Sequence, residues 1–232
     1  LRCLVGSEMC IRDSHWAEGW QAVTTTFANV RKEIISAWEN PVQRAETKED
    51  APAALVLLAL GLVLILRGRR WSRRLTNWVL TDQPGAGRWL SAFALSLGSI
   101  VLPFVGMVML TEAAFATNLV GLRGEQVIIA VIGPFLTFLL YRWIAMRIFP
   151  SKEARTLPLN LNEAERYAGR LYGALLGIVV GGYFFFAILS VNSDWSEAAT
   201  NAVLFPFFVL AGLLLLRLAR LLRSHTQHSI DE

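Results

Sequence analysis

The residues of this chain that could do chemistry are few, and their positions do not favour it. Proton relays, coupled-ion sites and intramembrane catalysts use ionisable groups deep inside a helical bundle. No Asp, Glu, Lys, Arg or His falls in the central part of any long apolar run here. His225 and His228 lie in a polar C-terminal stretch, where solvated imidazoles are expected. Glu112 and Asn118 stand at the edge of an apolar run, a place for interfacial capping. No metal-binding histidine pair within the bundle, phosphate-binding glycine loop or nucleophile elbow is present. The sequence therefore predicts no catalytic, cofactor-binding or metal site, and a protein that is not an enzyme.

The two cysteines, Cys3 and Cys10, both fall in the opening stretch "LRCLVGSEMCIRDS". That stretch has no sustained hydrophobic period and no signal-peptide core. Leu4 to Ser14 resemble the translated sense strand of a transposase adapter used in DNA sequencing. Residues 1–14 are accordingly read as a non-native scar, which leaves a cysteine-free fragment from His15 onward whose C-terminus is also read as cut. On that reading cysteine arithmetic carries no message about redox compartment.

Composition sets the class. Hydrophobic residues make up 54% of the 232, and the mean hydropathy is +0.46. A soluble domain holds about 45–50% apolar residues even when glycine is counted. The charges come in bursts between long apolar runs, the pattern of a chain that crosses a membrane repeatedly. The net charge of +4 is no argument for nucleic acid, because the arginines sit where membrane topology needs them.

The elements follow in order. Residues 15–40 form an amphipathic extramembrane helix. Trp16, Trp20, Val23, Phe27, Val30, Ile34 and Ala37 make one seam at 4-3-4-3-4-3 spacing, predicted to pack on a neighbouring helix of the same protein. Pro41 ends that helix, and 41–50 read as a charged linker. Five apolar runs follow at about 51–66, 89–111, 126–146, 171–191 and 199–217, within a transmembrane domain spanning 51–223. Pro103, Pro134 and Pro206 fall inside three of them, which membrane helices tolerate. Residues 224–232 form a tail. The predicted fold is all-α, a polytopic helical membrane protein of about five spans.

Counting Lys and Arg between the runs orients it. Residues 67–88 carry six, 112–125 only Arg123, 142–170 six, 192–198 none, and the end of the last span Arg217, Arg220 and Arg223. This alternation puts the N-terminus outside and the C-terminus in the cytoplasm. Trp71, Trp78, Trp89 and Trp143 fall at cytoplasmic ends of spans and Trp195 at an external one, as an aromatic belt requires.

Two local patterns stand out. In "RGRRWSRRLTNWVL", a helix would gather Trp71, Leu75, Trp78 and Val79 on one face and most of the arginines elsewhere. Arg69, Arg70, Trp71, Arg73, Arg74 and Trp78 thus predict an interfacial helix against the anionic inner leaflet. Each arginine there is worth about 1 kcal/mol. Such a helix either couples the protein to leaflet tension or simply fixes topology. The second pattern is Gly169, Gly173, Gly177 and Gly181, a strict i+4 glycine stripe that lets another backbone approach closely. Ordinary bundle packing and a pore-lining role are its two readings, and the bulky "YFFF" that follows argues against a pore axis. Asn162 and Glu165 fit a capping box at the start of that helix.

Taken with "AWENP", "APAALVLLALGLVLILRGRRW", "SIVLPFVGMVML" and "LYGALLGIVVGG", the order of elements resembles the membrane-spanning region of large bacterial channels of the small-conductance mechanosensitive (MscS) family, those with an extra periplasmic helical domain. The resemblance covers most of 15–223 and rests on general character and order. It implies a multi-pass protein of the bacterial inner membrane whose peripheral helices, in contact with membrane lipids, sense tension. It also implies a homo-oligomer assembled through a glycine- and alanine-rich pore helix that this stretch lacks, together with the cytoplasmic β-rich domain. No pore residue is carried over. A transporter or permease subunit and a membrane anchor for an assembly are the alternatives.

Overall fold

The structure, a computed structural model, describes the backbone of residues 7–81, 87–150 and 162–228, and the side chains of 15–68, 70–71, 97–150 and 162–223. Six helices account for the described residues, with no strand among them: α1 (Ser7–Glu39), α2 (Pro41–Thr81), α3 (Gly87–Phe115), α4 (Leu122–Ile148), α5 (Glu163–Asn192) and α6 (Glu197–His228). Five of them, α2 to α6, contain stretches long and apolar enough to cross a membrane. The chain is an all-α, multi-pass membrane protein. Helices continue through Pro103, Pro134 and Pro206 as expected.

Three expectations need correction. The charged stretch 41–50 is no linker but the first turns of α2. Pro41 stands at the first helical position, where its missing N–H costs nothing. The side chain of Asn40 accepts from the Val42 N–H at 3.1 Å, so Asn40–Pro41 starts a helix as well as ending one. The arginine-rich segment after Arg67 is not a separate surface helix, because α2 continues through it without a turn. At 41 residues α2 is ~61 Å long, about twice the hydrocarbon thickness, so it projects beyond the apolar layer. Finally, α1 begins at Ser7, so eight of the fourteen residues of the opening stretch have helical backbone although their sequence shows no hydrophobic period.

The chain divides into two compact units: Ala28–Leu136, and Leu1–Phe27 with Thr137–Glu232. In the first, α2 and α3 pair as an antiparallel hairpin, with Ala54, Ile100, Thr111 and Ala113 buried between or beside them. In the second, α5 packs on α6 and on the C-terminal half of α4. Leu189 is the only large side chain fully enclosed among the described residues. Large apolar side chains on α2, α5 and α6 instead face outward, as lipid-solvated helices allow. Phe205 is 58% and Phe208 61% exposed.

The turns after α3 and α5 are built on left-handed residues. Asn118 (φ 52°) and Asp194 (φ 49°) are the only described non-glycine residues at positive φ, and Asn and Asp bear that conformation better than most. At the end of α5, the Trp195 N–H donates to the Ser190 carbonyl at 3.0 Å and the Asp194 N–H to Val191 at 3.5 Å. This is a Schellman stop with Asp194 where glycine usually stands.

Candidate functional site

The glycine stripe on α5 is buried along its whole length. Gly173 and Gly177 meet the C-terminal half of α4, and Gly169 meets Phe149 just beyond its end. A methyl group on Gly169 would lie 2.6 Å from the Phe149 ring, and one on Gly177 2.7 Å from Tyr141 Cβ and 3.3 Å from the Phe138 backbone. Gly173 meets the methyl of Ala145. No side chain fits there without moving α4, so these glycines set the helix separation. The α4 end of this seam is closed by Arg170, whose guanidinium donates to the Phe149 carbonyl at 3.4 Å. A cation is favoured at that position by the partial negative charge of a helix C-terminus. The start of α5 is capped as its sequence suggests, with the Asn162 N–H donating to Glu165 at 2.9 Å.

The glycine beside this stripe faces elsewhere. A methyl on Gly182 would lie 2.6 Å from Phe207 of α6. Around it the "YFFF" run interlocks with α6: Tyr183 stacks edge-on with Phe208 at 4.9 Å, and Phe186 lies 5.6 Å from Phe207. The aromatic run is therefore the α5–α6 contact, and the glycine run the α4–α5 contact.

A second glycine seam, in the other unit, was not anticipated from the sequence. Gly61 of α2 and Gly106 of α3 approach so closely that a methyl on Gly61 would lie 2.8 Å from the Gly106 carbonyl oxygen. Around them the buried residues of α2 are Thr47, Ala54, Gly61 and Gly68, spaced seven apart. Thr47 Oγ1 donates to the Thr117 carbonyl at 2.7 Å, and Asn118 donates to Asp50 at 3.2 Å. Gly68 admits Leu102 and Pro103. The signal was the heptad of small residues, hidden inside a run that otherwise reads as uniformly apolar.

The seam expected on α1 holds at Val23 and Val30, which are half-buried, and at Ala37, and fails at Trp16, Trp20, Phe27 and Ile34. In the unit that holds its N-terminal part, Gly19 is buried against Ala199, Ala202 and Val203 of α6. Thr26 accepts from the indole N–H of Trp195 at 3.1 Å, and Glu18 accepts from the Ser196 hydroxyl at 2.8 Å. Trp16, Trp20 and Phe27, assigned to the packed seam, are 48%, 70% and 42% exposed. In the unit that holds its C-terminal part, Ala37 is buried as expected, while Ile34 is 40% exposed. There Glu33 accepts from the Gly124 N–H at 3.3 Å, next to Arg123 at 4.0 Å, and so caps the N-terminus of α4. The packed face thus adds Gly19, Thr26 and Glu33 to Val23, Val30 and Ala37, and a search for apolar periodicity passes over those three small and polar residues.

Of the predicted lipid-interface residues, Arg70 and Trp71 are exposed on α2. The side chains of Arg69, Arg73, Arg74 and Trp78 lie outside the described residues, as do those of His225 and His228. Arg147 lies over the Trp143 ring at 5.5 Å, at the end of α4 where an aromatic belt was expected.

No family model, curated protein or solved structure matches the chain.

Proposed function

We propose that this chain is the lipid-contacting scaffold of a tension-gated ion channel of the mechanosensitive type, in a bacterial inner membrane with its N-terminus outside. It is non-catalytic, it works as part of a homo-oligomer, and its ligand is the tension of the bilayer. The observation that carries this reading is the pairing of two properties in the same helices. Their inner seams are glycines packed directly on the neighbouring helix, against backbone at Gly61–Gly106 and against side chains at Gly169 and Gly173, so each helix group moves as one stiff piece. Their outer faces are large exposed apolar side chains, which bind whatever lipid packing surrounds them.

A protein built this way responds to force without any chemical group. Stretching the bilayer favours whichever arrangement occupies more area in the plane, and only that difference can shift the equilibrium. The alternation of six, one, six, none and three basic residues supports the orientation. The arginines that follow the first apolar run would then hold the end of α2 against anionic lipid headgroups.

The test is to measure distances between spin labels on the chain in liposomes, with and without lysophosphatidylcholine to unbalance the leaflets. A label pair at Leu62 of α2 and Phe208 of α6 should shift its distance distribution when the lipid is added. A pair at Leu60 of α2 and Val105 of α3, across the glycine seam, should stay fixed. An unchanged Leu62–Phe208 distribution in vesicles shown to be under asymmetric stress overturns the proposal.

A further inference from the structure

We propose that α1 up to Phe27 is a membrane-surface helix, with Trp16, Trp20 and Phe27 seated at the boundary between lipid headgroups and acyl chains. This rests on α6 spanning a membrane and not on any response to tension.

Depth comes first. Gly19 packs against Ala199, Ala202 and Val203, which lie in the first two turns of α6 after its start at Glu197. At 1.5 Å per residue, those contacts fall within ~9 Å of the helix end. Surface helices sink about 5–10 Å into the headgroup region. The missing side chain of Gly19 permits this approach, since a methyl there would already lie 3.2–3.3 Å from three α6 atoms. Two side-chain bonds then hold α1 at that level, Trp195 to Thr26 and Ser196 to Glu18.

Direction comes next. At ~100° per residue, Trp16, Trp20 and Phe27 project within about 40° of one another. Gly19 lies to one side of that stripe, on the face against α6. Gln21 and Thr25 lie on the opposite side of the helix, and both are exposed. Three aromatic side chains therefore stand beside the contact with α6, with the polar face turned away. Further along α6, Phe205 also leaves apolar surface open. Tryptophan is the residue suited to such a boundary, with an apolar ring and one N–H for the wet side. A lipid surface fits this arrangement because every group on the stripe is satisfied by a headgroup-depth environment, without a shaped partner.

The experiment uses the whole chain with Cys3→Ser and Cys10→Ser, carrying single cysteines at Trp16, Trp20, Gln21 or Phe208. Each is labelled with the fluorophore NBD in liposomes of phosphatidylethanolamine and phosphatidylglycerol. Labels at 16 and 20 should be quenched by a lipid bearing a doxyl group near its headgroup, about twofold more than the label at 21. Aqueous iodide should give the reverse order. If 20 and 16 are as open to iodide as 21 while 208 reports lipid, the surface helix is wrong and the span stands. If 16 and 20 are shielded from both quenchers, another protein surface covers the stripe and the proposal falls. If 208 also reports water, the membrane reading of α6 fails with it.

Discussion

Gly61 and Gly106 stand back to back: a methyl group on either would lie 2.8 or 2.7 Å from the other's carbonyl oxygen. Contacts this close bring backbone hydrogens against carbonyls, weak interactions that recur at helix crossings. The obstacle to a larger residue is backbone, which cannot rotate aside. Gly106→Leu should therefore part α2 from α3 and cost about 1–3 kcal/mol. Gly133→Leu is the control, because a Cβ there would meet no side chain and no backbone of another element within 4 Å. Steric-trap or detergent unfolding should find Gly106→Leu destabilised and Gly133→Leu close to the parent.

On the α4–α5 seam the obstacle is a side chain, and so it can be removed. Gly173 meets the Ala145 methyl directly. Gly173→Ala alone should destabilise the bundle, while Gly173→Ala with Ala145→Gly moves the methyl from one helix to the other and restores the fit. Residues in contact depart from additivity by about 0.5–3 kcal/mol, and the sign here should be favourable to the double variant. Strict additivity in an unfolding cycle would mean the two positions do not touch.

These two seams show what a sequence exposes and what it hides. The α5 stripe is legible because glycine recurs every four residues in a helix otherwise made of bulky side chains. The α2 seam is not, since Thr47, Ala54, Gly61 and Gly68 differ in type and share only their small size and a seven-residue spacing. Apolar runs in a membrane carry no inside–outside contrast, so hydropathy locates the five helices but cannot say which faces meet. For α1 the contrast exists and still misleads. Its most apolar residues are exposed and its packed face contains Gly19, Thr26 and Glu33. Apolar stripe and buried stripe coincide where water is the solvent on the open side, and on α1 they overlap only at Val23, Val30 and Ala37.

Trp195 illustrates the same point with a side chain expected to serve as a membrane anchor. Its indole N–H is committed to Thr26, 169 residues away, at 3.1 Å. Thr26→Val keeps the shape and removes the acceptor. The loss should be about 0.5–1.5 kcal/mol, the net worth of one such bond. Trp195→Phe should cost a similar amount through the bond, and the double variant should lose little more than either alone. Hydrogen exchange read at residues 196–203 would show whether the start of α6 opens when α1 loses this hold.

Asp194 places that tryptophan, and it does so in a conformation its side chain does not prefer. With φ at 49°, it occupies the position where a glycine ends most helices of this kind, and the Trp195 N–H reaches the Ser190 carbonyl only because the chain reverses there. A left-handed residue with a Cβ carries about 1–2 kcal/mol of strain, partly relieved for Asp and Asn. Asp194→Gly removes that strain but frees the unfolded chain, which offsets about 0.5–1 kcal/mol. The two nearly cancel, so stability should change little, by less than about 1 kcal/mol. Asp194→Val has no such offset, because a β-branched residue at positive φ is a true outlier. It should lose the α5 stop, and with it the Trp195–Thr26 bond. Comparing Asp194→Val alone and with Thr26→Val separates the two effects: if the turn governs the bond, the second substitution adds nothing to the first.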